Sequence, residues 1–461
     1  MFERFLNFVR SVLSRLITQT DISNKLNLDV TVSSDMQEAI ELWSKMYENK
    51  ADWLNSTVQS LNLPATIASE IARMITLEFG SEITGSARAD FINDQYQQFL
   101  KHIRQSIEYG CAKGGVAFKP YPTEDGIAVD VVQADRFFPT SHDSTGRITG
   151  AVFVENIHRG KEYLTRLEAH EMTSEGYVIT NKAFSSKNKE ILGHEISLDR
   201  VFEWAGLEPQ VTIKNINKPL FGYYKVAQAN VVDSSSPLGE SVYARAVDVI
   251  KEADKQYSRL LWEYEGGELA VDIDATLFEK DKDGRPIIPH GKKRLFRSYN
   301  GLGLDSSEGI KVFSPQLRDA NLANGLNEIL TRIEDVCSLS RGTLSNVNNE
   351  AKTATELKIM KQRTYSNIKD NQRSLESALN DLIYAIDTYA TLYELAPGGE
   401  YETSYKWDDS IIMDAESERD KMLAEVSAGI LRPEVYLAET RGISEEEAKK
   451  LLPELEQLIN E

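Results

Sequence analysis

Apolar residues in the first hundred positions recur at helical spacing. The segments from about Met36 to Lys50 and from Pro64 to Leu77 have this period, and Pro64 stands in a first turn, where a helix tolerates proline. The stretch from Phe2 to Leu16 also has one apolar face. Because such a stripe usually packs on its own protein, we expect it to contact this chain or a neighbouring subunit rather than a membrane.

From residue 116 the apolar pattern changes to the alternation that is typical of strands. Turn residues such as Gly146, Gly160 and Gly176 separate the runs. This pattern predicts a mostly antiparallel sheet. The predicted strands are Val116–Tyr121, Ile127–Val132, Ile148–Ile157, Tyr163–Met172 and Tyr177–Ala183.

The second half of the chain returns to helical spacing. Ser236 and Pro237 predict a helix start, and residues 238–265 then form an amphipathic helix of about 27 residues, or roughly 40 Å. Residues 266–315 are rich in glycine and proline and predict short strands and turns. A second helix is predicted over 316–340, and a polar connection over 341–352 follows it.

The third predicted helix is the longest. Thr353 and Glu356 have the spacing of a capping box, and the helical period continues to Tyr393, close to 43 residues or roughly 65 Å. One small core cannot cover such a helix, so we expect partners along its length, in the same chain or in neighbouring subunits. Side-by-side packing of copies would give a hollow assembly. A stripe from Leu357 to Tyr393 that is covered internally would count against that reasoning.

The tail is predicted to hold a short strand, Tyr401 to Trp407, and then helices over about 414–428 and from Pro433. Ser444 and Glu447 predict a capping box for the last helix. Together these elements predict an α+β, mainly helical fold with two or more structural regions, because 461 residues exceed one ordinary core.

The net charge and the cysteine content restrict which classes of protein the chain can belong to. The net charge is −20, and residues 398–461, with 17 acids and 7 bases, contribute half of it. A sequence-specific DNA-binding protein would need a basic face, so we do not expect tight, specific binding. Cys111 and Cys337 cannot form a disulfide framework, and free thiols fit a reducing cytoplasm. The pattern contains no signal peptide and no apolar run that could span a membrane.

Several segments resemble catalytic motifs, but each lacks a residue that the motif requires. His170-Glu171 and His194-Glu195 lack the second histidine of a zinc protease, and Val116 stands where a phosphate-binding loop needs lysine. Asp408, Asp409 and Asp414 could hold metals for a nuclease, which is the weaker interpretation because acid clusters on loops are usually solvated. We therefore expect no enzymatic activity, no metal site and no cofactor. An acidic scaffold or adaptor protein remains an alternative.

Four stretches of the chain, in their order along the sequence, carry a family resemblance. The chain resembles the portal proteins of tailed bacteriophages, in detail those of phages of Gram-positive hosts. The Ser-Pro-Leu-Gly and Thr-Ala-Thr-Glu segments are specific signs of this family when both are present. The stretches are RLEAHEMTSEGYVITNKAF (Arg166 to Phe184), KPLFGYYKVAQANVVDSSSPLGESVYARAVDVIKEADKQY (Lys218 to Tyr257), TATELKIMKQRTY (Thr353 to Tyr365) and, at the C-terminal end, WDDSIIMDAESERDKMLAEVSAGIL with RGISEEEAKKLL.

The resemblance implies a homo-oligomeric ring of about twelve subunits around a channel for double-stranded DNA, with terminase, head–tail adaptor, major capsid and scaffolding proteins as partners. It places the protein at the portal vertex of the virion after assembly in the host cytoplasm. The implied parts are a wing (1–237), a first stem helix (238–265), a clip (266–315), a second stem helix (316–340), a tunnel loop (341–352), a long wing helix with return strand (353–410) and a crown (411–461).

The same resemblance suggests the residues that face DNA and partners. The tunnel loop would present its polar residues to DNA, although a plain helix connector is the alternative. Three bases of the first stem helix could face the channel, but pairing with Glu252, Asp254 or Glu263 is the simpler use. Four clip bases could dock a partner, bind nucleic acid or form a solvated strand face. The tunnel-loop residues are Asn346, Val347, Asn348, Asn349 and Lys352. The bases of the first stem helix are Lys251, Lys255 and Arg259. The clip bases are Lys292, Lys293, Arg294 and Arg297.

Strong phosphate contacts would hold DNA still, so a conduit suits an acidic chain. Acidic channel walls that repel the duplex are one interpretation of the net charge. The other is that the acids lie on outer surfaces, and the sequence does not separate the two.

Overall fold

The computed structural model describes most of the chain. We describe only the residues that it places. These are residues 19–124, 126–189, 191–274, 277–283, 285, 287, 295–299, 310–346, 354–407, 415–441 and 444–452.

The N-terminal region is a set of short helices around one strand. Ser33 accepts a hydrogen bond from the backbone N–H of Met36 and so caps the second helix, as its sequence favours. The strand interrupts a region whose pattern predicts helices alone. The elements are α1 Gln19–Leu26, α2 Ser34–Tyr47, α3 Leu63–Ile75, β1 Gly80–Thr84, α4 Ala87–Leu100 and α5 Ile103–Lys113.

The predicted meander is confirmed. Its strands form a six-stranded antiparallel sheet in the order β4-β5-β6-β7-β8, with β9 also pairing with β7. Residues 150–154 of β5 are all buried, because this strand is covered on both faces. A separate three-stranded sheet has the order β10-β2-β3. The strands are β2 Gly115–Thr123, β3 Gly126–Gln133, β4 Phe137–His142, β5 Ile148–Arg159, β6 Glu162–Thr173, β7 Gly176–Ser186, β8 His194–Ile196, β9 Gln210–Ile213 and β10 Gly222–Lys225.

Two helices leave this body and lead to a small sheet. Helix α6 (Val247–Gly266) packs beside α7 (Asp319–Val336), and the strands between them have the order β12-β11-β13. Strand β11 pairs with β12 in parallel and with β13 antiparallel. The strands are β11 Ala270–Asp274, β12 Phe296–Tyr299 and β13 Ile310–Phe313.

The predicted start of α6 at Ser236-Pro237 is wrong. The helix begins at Val247 and has 20 residues, close to 30 Å rather than roughly 40 Å. The preceding segment is held in the core instead, where the backbone N–H of Val242 donates to the Cys111 carbonyl at 3.0 Å. Gly114 and Gly239 meet backbone to backbone, so closely that a Cβ on Gly114 would lie 2.3 Å from the Gly239 carbonyl oxygen. This tertiary contact prevents the segment from being helical.

The longest helix, α8 (Ala354–Leu392), has 39 residues, or roughly 58 Å. From Ile368 onward its apolar stripe is buried in the main core of this chain, against β10, β2, α3 and α4. Copies of the chain are therefore not needed to cover the stripe between Ile368 and Tyr389, and this part of it gives no support for a hollow assembly, while Tyr393 beyond it is 55% exposed. The side chains of 354–361 and the predicted cap Thr353 lie outside the described residues.

Buried polar side chains fix the direction of α8. Asn371, fully buried, accepts hydrogen bonds from the Tyr224 hydroxyl at 2.9 Å and the Ala227 backbone N–H at 3.1 Å. Near its C-terminal end, Arg88 is 2% exposed and donates to the Asp387 carboxylate and to the Ala396 carbonyl. The helix is thus bound to the sheet and to α4 at two separate points.

The tail returns to the N-terminal region. Strand β14 (Glu402–Lys406) pairs with β1, and α9 (Ala415–Ser427), α10 (Pro433–Arg441) and α11 (Glu445–Leu451) follow. The predicted Ser444–Glu447 capping box is confirmed. With 44% helix and 24% strand, the chain is a mixed α and β structure. Among the described residues, no helix has the length and apolarity needed to cross a bilayer.

We predict that Gly114→Ala strongly destabilises the protein. Gly114 has a φ of +92°, and its added methyl would overlap the Gly239 backbone. Gly146→Ala is the matched control, because Gly146 has a φ of +81° but nothing within 4 Å of the added Cβ. Urea unfolding should show a loss of about 1–2 kcal/mol for Gly146→Ala and of at least ~3 kcal/mol for Gly114→Ala. Equal losses would contradict the backbone contact.

Candidate channel-facing and docking surfaces

Helix α6 is attached to the connection between α2 and α3 through a buried carboxylate. Asp254 accepts from the Trp53 indole Nε1 at 2.9 Å and from the Leu61 backbone N–H at 2.9 Å. Burial raises the pKa of Asp254, because its charged form is poorly solvated there. Asp254 therefore holds the 53–61 connection against the first turns of α6.

A second carboxylate joins α6 to α7 at the opposite end. Glu263 accepts from the Arg318 backbone N–H at 2.9 Å, and its two oxygens accept from the Arg318 guanidinium at 3.1 and 2.7 Å. These hydrogen bonds lower the pKa of Glu263 to about 2. The pair closes the base of the β12-β11-β13 sheet, where the chain enters and leaves it.

A third carboxylate holds the residues that follow α7. Glu334 is fully buried in the last turn, and its Oε1 accepts from the backbone N–H groups of Gly342 at 3.1 Å and Ser345 at 2.8 Å. The Leu344 N–H donates to the same oxygen at 2.5 Å, and the Ser345 hydroxyl donates to Oε2 at 2.7 Å. Four donors from one short segment thus converge on one side chain.

The segment 342–346, which we call the loop base, turns back along α7. Thr343 N–H donates to the Ser340 carbonyl, and Gly342 has a φ of +95°, as the third position of a type II turn requires. Further along, Asn327 Oδ1 accepts from the Asn346 N–H at 2.7 Å while Asn327 Nδ2 donates to the Asn346 carbonyl at 3.2 Å. Asn327 and Glu334 are seven residues apart, so the loop base follows roughly 10 Å of the helix.

Of the five residues predicted for the tunnel loop, Asn346 is exposed at the end of the loop base. Its side chain is free for other contacts, since only its backbone groups bind Asn327. Val347, Asn348, Asn349 and Lys352 lie outside the described residues.

The three bases of α6 have different surroundings. Lys251 Nζ lies 5.8 Å from the centre of the Trp53 ring, and Lys255 Nζ pairs with Glu252 at 2.6 Å. Arg259 is exposed and donates to the Gln256 side chain at 3.3 Å. Lys255 therefore has the local pairing that helical spacing favours, whereas Asp254 and Glu263 are occupied by other partners.

Of the four clip bases, Arg297 is described. Its guanidinium donates to Asp272 across the parallel strands at 2.8 Å and lies over the Phe313 ring at 5.0 Å. Arg297 thus stabilises its own sheet. Lys292, Lys293 and Arg294 lie outside the described residues, as do the acids of the nuclease alternative, Asp408, Asp409 and Asp414. Within the described ranges, no three His, Cys, Asp or Glu side chains are grouped closely enough to bind a metal.

The sequence reasoning missed the carboxylates that organise this region. Glu334 follows Ile333, which the helical period places on the buried face. An acid next to such a position is a sequence signal for a buried carboxylate. Its partners are backbone groups, however, and backbone groups leave no pattern in a sequence. Asp254 and Glu263 were considered only as partners of the α6 bases.

We predict that the Glu263–Arg318 pair contributes stability that depends on pH. Because the folded pKa of Glu263 is lowered to about 2 from an ordinary 4.5, this contribution is present above pH 4.5 and is lost as the pH falls through about 2. Thermal unfolding of Glu263→Gln should therefore show a lower midpoint than the unsubstituted protein at pH 7, and the gap should narrow at pH 3. A gap that stays constant across this range would contradict the assignment.

No curated protein matches the chain significantly. Among solved structures, a chain from the neck of a native GTA particle computed with C12 symmetry is 11% identical, with a TM-score of 0.40 over 83% of this chain and 91% of that chain. Another, from the neck of an empty GTA particle computed with C6 symmetry, is 12% identical, with a TM-score of 0.42 over 89% and 94% of the two chains.

The family assignment rests on a match along the sequence. The family model described as "Phage portal protein, SPP1 Gp6-like" matches residues 34–461, which is nearly the whole chain. The match includes the six-stranded sheet, α6, α7, the loop base and α8. The chain belongs to the SPP1 Gp6-like family of phage portal proteins.

Proposed function

We propose that copies of this chain form a ring of about twelve subunits at the capsid vertex, around a channel that carries double-stranded DNA during packaging, retention and ejection. Family membership supports the portal role, and the family is a structural one. The protein then acts without catalysis of its own, and a separate motor supplies the force. The observation that carries the ring is the apolar surface that the single chain leaves uncovered at the end of α6, on strand β13 and in the connections that flank the small sheet.

That apolar surface is concentrated at the end of α6 and in the sheet beyond it. Trp262 is 67% exposed and Val312 is 62% exposed. A monomer seldom exposes so many large apolar side chains in one region unless they contact another protein. We define these residues as the apolar stem surface: Trp262, Tyr264, Leu269, Leu317, Ile310, Val312 and Phe313.

The parts of a portal subunit can be assigned to these elements. We propose that α6 and α7 are the stem, that residues 266–315 are the clip and that 411–461 form the crown. Residues 1–237, together with α8 and β14, form the wing. The first stem segment 238–265 is then mostly α6, while residues 238–246 belong to the buried body that supports it.

The tunnel loop is proposed to approach DNA through Asn346, Val347, Asn348, Asn349 and Lys352. Polar groups can contact phosphates weakly, and weak contacts let the duplex slide. Arg259 is the α6 base proposed for a channel charge because it is exposed and forms no salt bridge among the described residues, although its charge also acts on Glu252. Lys251 and Lys255 are engaged by Trp53 and Glu252, which favours a structural role for both.

Partner docking is proposed for the clip. Lys292, Lys293 and Arg294 would contact terminase during packaging and the head–tail adaptor afterwards, whereas Arg297 supports the clip sheet from within. Major capsid and scaffolding proteins would contact the wing. The ring would be assembled in the host cytoplasm and retained in the virion.

We predict that Trp262→Ser reduces ring formation. Central tryptophans of interfaces commonly cost about 2 kcal/mol or more when truncated, and a ring repeats the loss in every contact. Phe202→Ser is the control, because Phe202 is 86% exposed but lies in a short 3-10 turn between β8 and β9 rather than on α6 or its sheet. Mass photometry should show fewer rings for Trp262→Ser alone. Equal ring populations for both variants would reject the apolar stem surface as the subunit contact.

We also predict that reversing charge at Lys293 and Arg294 to glutamate weakens capture of the adaptor or terminase in a pull-down with assembled rings. The double substitution replaces attraction with repulsion at an acidic partner surface. Lys187→Glu with Lys189→Glu, in the connection that follows β7, is the matched control. Full capture by the clip variant would remove the docking assignment.

A further inference from the structure

Every side-chain hydrogen bond that Glu334 accepts within the described residues comes from the loop base, although the Arg341 charge also acts on it. Within the described residues its carboxylate forms no ion pair, and its contacts are the four donors of Gly342, Leu344 and Ser345. A buried carboxylate without such donors is strongly unfavourable. The helix end and the loop base are therefore coupled, since either one without the other leaves a buried charge unsatisfied.

The contact between Asn327 and the loop base is also one between a side chain of α7 and backbone groups. The Asn327 amide accepts from and donates to the two backbone groups of Asn346, as a neighbouring strand would. Asn327 and Glu334 are separated by two helical turns and so lie on the same side of α7. Together they hold both ends of the loop base, and the chain cannot rise straight from the helix end.

We infer that Glu334 and Asn327 are the positioning residues that fix where the tunnel loop leaves the stem, beside the middle of α7 rather than at its C-terminal end. This inference rests on the proposed channel function, because it assigns a location to the loop that approaches DNA. Neither residue contacts DNA. Their effect on packaging passes through the path of residues 342–346.

Neighbouring contacts give the loop base its shape but do not replace these two residues. Arg341 pairs with Asp335 at 3.0 Å on the exposed side, where solvent weakens the pair. Ser340 and Thr364 share a hydrogen bond at 3.0 Å, which ties the preceding turn to α8. Both contacts precede Gly342, so the direction taken after the turn depends on Glu334 and Asn327.

The test compares Glu334→Gln with Glu328→Gln. Both remove one negative charge from α7, but Glu328 is exposed and Glu334 is buried. Glutamine can keep its oxygen at the Oε1 position for the three N–H donors and turn its NH₂ group towards the Ser345 hydroxyl, which can then accept, so the substitution chiefly removes the charge. Hydrogen exchange in assembled rings should be roughly tenfold faster at the amides of Gly342, Leu344 and Ser345 in Glu334→Gln, since charged hydrogen bonds are the stronger kind. Glu328→Gln should leave these rates unchanged.

The same variants are then used to assemble particles, and DNA-filled heads are counted. The expected result is intact rings with a loss of filled heads for Glu334→Gln alone. Unchanged exchange would overturn the inference at its structural step, and faster exchange with a normal number of filled heads would overturn it at its functional step. Absence of rings in the unsubstituted protein would instead reject the proposed function.

Asn327→Asp provides an independent variant if Glu334→Gln fails to fold. Asn327 is partly exposed, so the substitution does not bury a new charge. Aspartate can still accept from the Asn346 N–H but places a carboxylate against the Asn346 carbonyl. Faster exchange at the Asn346 amide with fewer filled heads supports the inference. Unchanged exchange or unchanged packaging contradicts it.

Discussion

Burial of the α8 stripe inside one chain is the constraint on which the rest of the structure depends. The helix packs against the β10-β2-β3 sheet and against α3 and α4, and Asn371 and Arg88 fix its direction at two points. Segment 236–243 is packed into the same body through the Gly114–Gly239 contact. The same core continues into α6 through Ile250 and Ala253, so the helix begins at Val247 against this body rather than at Ser236.

Three acids then determine how the stem is connected. Asp254 joins it to the wing, Glu263 joins α6 to α7, and Glu334 joins α7 to the loop base. Each carboxylate accepts several hydrogen bonds at or near a helix terminus, where backbone donors would otherwise lack partners. These acids count towards the net charge of −20 but act as structural contacts. The net charge alone is therefore a poor guide to the electrostatics of a channel wall.

Local pattern accounts for much of the fold. The alternation over 116–183 and the helical periods over 34–75, 319–336 and 354–392 correspond to the observed elements, because burial on one face leaves a repeat in the sequence. The predictions that were wrong concern elements that depend on contacts between residues far apart in the sequence. The start of α6 depends on Gly114, which is 125 residues from Gly239, and β1 depends on pairing with β14 at the other end of the chain.

The site was less accessible to sequence reasoning than the fold. The family that the resemblance indicated is confirmed, and the stem, clip and loop regions that it implies stay proposals. The role of Glu334 could not be predicted, because its partners are mostly backbone N–H groups, which every residue type supplies. The α8 stripe was expected to find partners in the same chain or in neighbouring subunits, and between Ile368 and Tyr389 the same chain provides them. Exposed apolar residues such as Trp262 are scattered singly in the sequence, so no periodic pattern marks them.

Electron cryomicroscopy of the purified protein at high concentration tests the central claim most directly. The account predicts a closed ring with an open centre, in which α6 and α7 surround the channel and the apolar stem surface is covered by the adjacent subunit. A population that stays strictly monomeric, or a ring in which these two helices point to the outer rim, would contradict it.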